Sequence, residues 1–306
     1  MSDVPISPEQ SPSATQEQIE AILRGTTIPS PPQIIVDLQM EMAMPDPDIN
    51  AMAKLIADDA GLAGGVLKTI NSAIYGGGSD ITSITKAVAM LGMNTLMRII
   101  NTLSLRNEMM NGDEIPDRLF AAMNGFWDSA SDVAHCSVRV AQRLNYSRPD
   151  HAYALGLFHN VGVPLLMMKF EHYAEVMRES YEKPSPRIVD TENKLIDTNH
   201  AVIGFFVARS WKLPDNLCQL ISQHHNVDIF IGGNATDNDD NTLLAILKIA
   251  EHISGLYRCI GGQRNNIEWN RAGKDILEFA GLSSVDFEDL MSQIHDSGLG
   301  QQQYFM

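Results

Sequence analysis

Apolar residues recur along this chain every three or four positions in one stretch after another, and the alternating apolar and polar runs that hairpins require are absent. This periodicity predicts helices throughout. In IPSPPQIIVDLQMEM (28–42) three prolines set an extended lead, after which Ile34, Ile35, Leu38 and Met42 share one helical face. In PDPDINAMAKLIADDAG (45–61), Asp46 is placed to cap a helix with Pro47 at its first position. That helix turns Ile49, Met52, Ala53 and Ile56 inward and is expected to break at Gly61. Gly64 and Gly65 allow close helix approach in the next segment, which carries Val66, Leu67, Ile70 and Ala73 up to a turn at GGGSD (76–80). Ser83 then caps ITKAVAMLG, stopped by Gly92, and Asn94 opens a helix bearing Leu96, Ile99, Ile100 and Leu103.

The polar stretch NEMMNGDEIPDR (107–118) contains Gly112 and Pro116 and suits a break between two helical modules. Helical patterning resumes from Leu119 to Leu144 and from about Pro149 to Glu179, flanks WKLP (211–214), and returns in LLAILKIAEHISGLY (243–257). Loops are expected at 183–187, which is rich in proline, and at 231–241. The expectation is therefore an all-α fold, a multi-helix bundle. It divides into a disordered tail at 1–18, an N-terminal helical subdomain at 19–110, a helical core at 119–260 and a C-terminal helical extension at 261–306.

Composition narrows the function classes. The net charge of −16, from 38 acidic and 22 basic residues, repels a phosphate backbone, so direct nucleic-acid binding is not expected. No segment reaches the ~20 apolar residues that span a bilayer, and the first residues have neither the basic start nor the apolar run of a signal peptide. Cys136, Cys218 and Cys259 form no CxxC pair, which points to a reducing, cytoplasmic setting. There is no GxxxxGK[ST] loop, no GxGxxG after a strand and no GxSxG elbow. Most of the sixteen methionines, Met40, Met42, Met90 and Met97 among them, fall on apolar stripes and are read as core filler.

Candidate chemistry lies in the second half. His159, His200, His224 and His225 sit on predicted helices beside apolar residues. A single such histidine is ordinarily a core residue, but four in a pattern suggest a metal site. Glu192 precedes His200 by eight residues, about two helical turns, and His224 and His225 diverge by ~100° on a helix, so one of the two is expected to face a shared site.

These residues carry a family resemblance. IPSPP (28–32), DPDI (46–49), DDAGL (58–62), NSAIY (71–75) and AVAMLG (87–92) are similar to the signature of the HDOD domain, the HD-related output domain of bacterial signalling proteins. FWDSASDVA (126–134), GLFHNVG (156–162), Thr191 to Trp211, then Leu213, Pro214, His224 and His225 resemble the HD-like core of the same family, and the match runs in order over roughly 28–260. The resemblance implies a degenerate site. The related HD phosphohydrolases and HD-GYP cyclic dinucleotide phosphodiesterases carry a first histidine where this chain has Ser129, and an HD pair where it has His159 and Asn160. They close the site with an aspartate where this chain has Glu251; Val163 takes the place of a lysine, and no GYP follows His225.

An amide offers a metal one weak carbonyl oxygen and no charge, so loss of the bridging carboxylate removes much of what holds paired cations over a reactive water. His159, His200, His224, His225 and Glu251 remain as a vestigial set for a single divalent ion, with Ser129, Asn160 and Glu192 as neighbouring positions. No cofactor beyond that ion is expected. The resemblance implies a regulatory protein without catalytic residues, acting by binding a protein partner or small ligand through a groove between subdomains or the vestigial pocket. Receiver, cyclic di-GMP and chemotaxis modules are the partners it suggests. The alternatives are a metal-dependent phosphohydrolase acting on a nucleotide or cyclic dinucleotide, and a cyclic dinucleotide receptor without turnover.

Overall fold

The computed structural model describes residues 26–71, 81–111, 115–183 and 186–300. Sixteen α-helices and no strand occur among them. The first five are α1 (Gln33–Met42), α2 (Ile49–Asp58), α3 (Ala60–Ile70), α4 (Ile84–Leu91) and α5 (Met93–Asn111). A long helix, α6 (Asp117–Arg143), leads to α7 (Pro149–Phe158), α8 (Gly162–Lys169), α9 (Tyr173–Glu182) and α10 (Ile188–Ile196). Next come α11 (His200–Ser210), α12 (Asp215–Gln223) and a 3-10 helix (Val227–Gly233). The last described helices are α13 (Asp239–Ser254), α14 (Leu256–Cys259), α15 (Ile267–Phe279) and α16 (Ser284–Asp296). No described helix is long and apolar enough to cross a membrane. The expected tail at 1–18, the onset of order near Ile19 and the GGGSD turn fall outside the described residues.

Helix α6 is the axis of the larger part. Met123, Phe126, Trp127, Ala130, Val133, Ala134, Val140 and Ala141 recur at three- and four-residue spacing on its buried side, against α7 and α13. A buried aromatic removes roughly 150–250 Å² from water, worth ~4–6 kcal/mol of transfer free energy at ~25 cal/mol per Å², so Trp127 and Trp211, both nearly inaccessible, anchor this region. Gly156 lets α7 lie directly on α6: a methyl group there would meet Ser137 Oγ at 2.7 Å and Ala134 Cα at 2.9 Å.

The first five helices join the rest along a seam built from two of the motifs noted above. The Trp211 indole donates from Nε1 to the Pro29 carbonyl at 2.9 Å, and the Gln39 amide donates from Nε2 to the Trp211 carbonyl at 3.2 Å. The segments IPSPP and WKLP therefore hold each other. Tyr153 on α7 and Thr102 on α5 share a hydroxyl contact at 3.3 Å on the same seam.

Several local expectations need correction. Asp48, not Asp46, caps α2, accepting from the backbone N–H of Asn50 at 2.9 Å and of Ala51 at 3.0 Å, so Pro47 precedes the helix. The break after α2 falls at Asp59, whose extended backbone and carboxylate start α3 by accepting from Leu62 N; Gly61 lies inside that helix. The pattern from Pro149 to Glu179 is three helices rather than one, with breaks around residues 159–161 and 170–172. Met97 is buried and Met42 half-buried, but Met40 is 64% and Met90 54% exposed, so neither of the latter fills the core. Met40 stands two residues, ~200° around the helix, from the inward Leu38.

Candidate metal centre

Four imidazoles meet where α7, α11 and α12 end or begin. His159 follows α7, His200 opens α11, and His224 and His225 follow α12, so the histidines expected within helices stand at their ends. Helix C-termini leave carbonyls without intrahelical donors. His159 Nδ1 meets the Gly156 carbonyl at 2.8 Å, and His224 Nδ1 meets the Ile221 carbonyl at 2.7 Å, each three residues back. A ring that donates from Nδ1 to a carbonyl presents a bare lone pair at Nε2.

The other two rings are aimed by carboxylates. Asp197, in the left-handed region at φ 57°, ends α10, and the chain turns back so that Asn199 caps α11. This brings Glu192 onto the start of α11. It accepts from the His200 backbone N–H at 3.0 Å and from His200 Nδ1 at 2.8 Å, while the Tyr173 hydroxyl donates to its other oxygen at 2.8 Å. Glu192 and His200 are thus joined across a helix-to-helix turn, not along one helix. His225 Nδ1 donates to Glu268 Oε1 at 2.8 Å.

Both adjacent histidines face inward, contrary to the expectation that one would turn away. His200 Nε2 lies 3.3 Å from His224 Nε2 and 3.0 Å from His225 Nε2. The ~100° divergence applies only within a helix, and α12 has ended at Gln223. Burial holds the pKa of His159 down to about 3, with Lys248 adding repulsion, and holds His224 and His225 well below the ordinary range. With Nδ1 of His224 and His225 donating to the Ile221 carbonyl and to Glu268, the bare Nε2 lone pairs of both rings crowd His200 Nε2. A single cation between them resolves that conflict: tetrahedral bonds of ~2.0–2.1 Å separate ligand nitrogens by about 3.3 Å. His200, His224 and His225 form a group whose nitrogens could hold a metal ion, and the acceptors behind their Nδ1 atoms are those that orient metal-ligating histidines generally.

Asn160 completes His159 differently. Its Nδ2 donates to His159 Nε2 at 2.9 Å, so the amide covers the lone pair that an aspartate would leave for a metal. Asn160→Asp is expected to lower stability by ~1–3 kcal/mol in chelator, because two acceptors then face each other, and to regain it with added manganese or zinc. Equal urea midpoints for this variant and the unmodified chain in chelator would show that the amide is not the donor.

Glu251 lies 3.4 Å from His159 Nε2 through Oε1, and that oxygen and Asn160 Oδ1 are buried without hydrogen-bond partners. Its Oε2 accepts from Lys248 Nζ at 2.9 Å, and Glu268 Oε2 accepts from the same ammonium at 3.1 Å. Burial lifts the Glu251 carboxyl to about 7 against the attraction of Lys248, with the Glu268 charge pushing the same way as burial. Burial opposes the Lys248 ammonium, yet Glu251 and Glu268 raise its pKa. Two buried carboxylates, Glu251 and Glu268, thus flank one ammonium, while the third, Glu192, is taken up by His200 and Tyr173. Ser129 stands apart, its hydroxyl donating to the Phe126 carbonyl of its own helix at 2.8 Å.

Sequence reasoning missed Lys248, Glu268 and Tyr173. Lys248 had a signal, a lysine three residues before a glutamate inside the apolar run LLAILKIAEHIS. Glu268 had none, since α15 is brought to the site only by packing against α13 and the 3-10 helix.

Comparison with known proteins agrees with this architecture. A crystal structure of an HDOD domain protein of unknown function from Geobacter sulfurreducens superposes with a TM-score of 0.68 at 21% identity, covering 94% of this chain and 97% of that one. A protein described as a candidate phosphohydrolase from Shewanella amazonensis SB2B superposes with a TM-score of 0.63 at 21% identity, covering 92% and 96%. An uncharacterized protein of Treponema pallidum (strain Nichols) is 24% identical over 203 residues, which are 65% of this chain but 38% of that relative, so the chain spans well under half its length. The HDOD domain profile matches residues 28–227, a range that holds the proline seam, the DPD turn and all four converging histidines, and the chain belongs to the HDOD family.

Proposed function

We propose that this protein is a non-catalytic regulatory output protein in which His200, His224 and His225 hold one divalent cation for a structural purpose. The observation that carries this reading is closure. The four imidazoles are at most 3% exposed, and the cavity touching Lys248, Glu251 and Glu268 is about 10 Å³, the scale of a single water. A phosphodiester has no room beside the nitrogens. Lys248 supports the same reading, because its tethered ammonium supplies positive charge among the carboxylates where paired-cation hydrolysis relies on a second metal.

A bound cation would supply the charge that holds the converging Nε2 atoms of His200, His224 and His225 together. Glu192 and Glu268 orient two of its ligands, and Asn160 keeps His159 satisfied without it. Signalling then proceeds by binding, in the cytoplasm, with receiver, cyclic di-GMP or chemotaxis modules as partners. The three free, buried cysteines suit a reducing compartment.

Metal analysis of the natively purified chain, joined to hydrolysis assays on bis(p-nitrophenyl) phosphate and cyclic dinucleotides with manganese or iron, tests the proposal. About one divalent ion per chain is expected, with no turnover and a melting temperature lowered by about 5–10 °C in chelator; His200→Ala should lose the ion. Turnover that disappears in His159→Ala overturns the regulatory reading in favour of a phosphohydrolase.

A further inference from the structure

A cavity of about 280 Å³ opens on the seam between the first five helices and the rest of the chain, apart from the histidine cluster. Its size is near the lower end of the ~300–1,000 Å³ typical of small-molecule sites. Helices α1, α5 and α7 and the turn from Trp211 to Pro214 line it. The buried aromatics Tyr153, Phe158 and Trp211 supply an apolar floor.

The polar groups around that floor are of three kinds, the third being the single carboxylate of Asp150. Gln39 is held with Nε2 on the Trp211 carbonyl, which fixes its Oε1 as an acceptor. Gln39 Oε1, Asn101 Oδ1 and His151 Nδ1 are all buried without hydrogen-bond partners, and all three residues line the cavity. A buried acceptor carries its full desolvation penalty until an N–H or O–H reaches it. Cationic groups form the second kind. Arg98 donates to Thr95 Oγ1 at 2.6 Å with its guanidinium over the Tyr153 ring, and Lys212 stands at the rim. Lys212 also holds a left-handed backbone at φ 55°, a conformation that non-glycine residues adopt at a cost and that gathers at ligand-binding turns. In a chain of net charge −16, two cations against the one carboxylate of Asp150 at a single groove mark where an anion is tolerated.

We infer that this groove binds a purine nucleoside monophosphate, with the amino-bearing base over the aromatic floor donating to Gln39 and Asn101, and the phosphate held by Arg98 and Lys212. Unpartnered acceptors select a ring rich in N–H donors, the floor selects a planar one, and the cations select an acidic substituent. The volume suits one nucleotide rather than two. Because α1 and α5 form one wall and α7 and the 211–214 turn the other, the ligand ties the two parts of the chain across their seam. The inference rests on reading the chain as a binding protein and is independent of what the histidines hold.

Calorimetry on the full chain with GMP, AMP, guanosine and inorganic phosphate tests it. One site per chain for GMP or AMP is expected, at least about tenfold tighter than for guanosine or phosphate alone. Arg98→Gln and Lys212→Asn should each weaken the monophosphate about tenfold and leave guanosine unchanged, since charge-assisted bonds to phosphate are lost; asparagine also tolerates the left-handed backbone, so Lys212→Asn serves if Arg98→Gln folds poorly. Asn101→Leu should weaken GMP and guanosine together. No binding of either monophosphate at about 1 mM, phosphate binding as tightly as GMP, or affinity unmoved in Lys212→Asn overturns the inference. Those results do not touch the regulatory reading, which falls only to His159-dependent turnover.

Discussion

Lys248→Met lowers the free energy of unfolding by about 3–5 kcal/mol at pH 8, the loss expected when one partner of a buried ionic cluster is removed and the others remain charged. The Lys248 ammonium is 3% exposed and bonded to both Glu251 and Glu268, and methionine fills its volume without its charge. The defect shrinks on acidification. Glu251 titrates near 7 in the folded chain against an ordinary 4.5. A carboxyl raised in this way contributes stability that is present below about 4.5 and lost as pH rises through about 7. Removing the ammonium raises that pKa further, so the variant is closer to the unmodified protein at pH 5 than at pH 8. Urea unfolding followed by circular dichroism at both values measures the difference. Equal midpoints at pH 8 would mean that Lys248 is not the counter-charge of the cluster.

Gly162→Ala destabilises the fold by about 3 kcal/mol, at the upper end for overpacking, and abolishes cation binding. A methyl group at this position would collide with the His200 carbonyl oxygen and lie 2.9 Å from the His200 carbonyl carbon and 3.0 Å from Gly204 N. All three are backbone atoms of α11, so no side-chain rotation relieves the contact. Moving α11 carries His200 with it, and a nitrogen displaced by even half an ångström leaves the productive range of a metal site. Gly64→Ala is the matched control, with nothing within 4 Å of the added carbon and a gain of roughly 0.5–1 kcal/mol from helix propensity. Thermal melting and metal stoichiometry of the two variants decide the matter. A Gly162→Ala chain that melts normally and keeps its ion would sink the account of how α11 is seated.

Much of the fold was legible because its signals are local. Ser83 and Gly92 bracket α4 as a cap and a left-handed stop, Ile35 and Leu38 form the buried stripe of α1, and the spacing of apolar residues after Leu119 announces α6. Where neighbouring signals compete, reading the chain failed by a residue or two. Asp46 and Asp48 offer the same carboxylate chemistry, and the choice of Asp48 accompanies Glu41 Oε1 on its backbone N–H at 2.8 Å, a contact from the preceding helix. Met40 and Met90 were misplaced for a related reason: a methionine fits either face of a helix, and the neighbours that would cover it come from elsewhere in the chain.

By itself the sequence determined the helical class, the order of most elements, the family and the set of imidazoles, because periodicity, caps and motif spacing depend on residues within a few turns of one another. Tertiary structure alone decided that His224 and His225 both turn toward His200, that Asn160 covers His159, and that Lys248 and Glu268 neutralise and orient the cluster. Such convergence joins groups far apart along the chain, as in the pairing of His225 with Glu268, 43 positions on. Its distances follow from how α11, α13 and α15 pack, which no local pattern encodes.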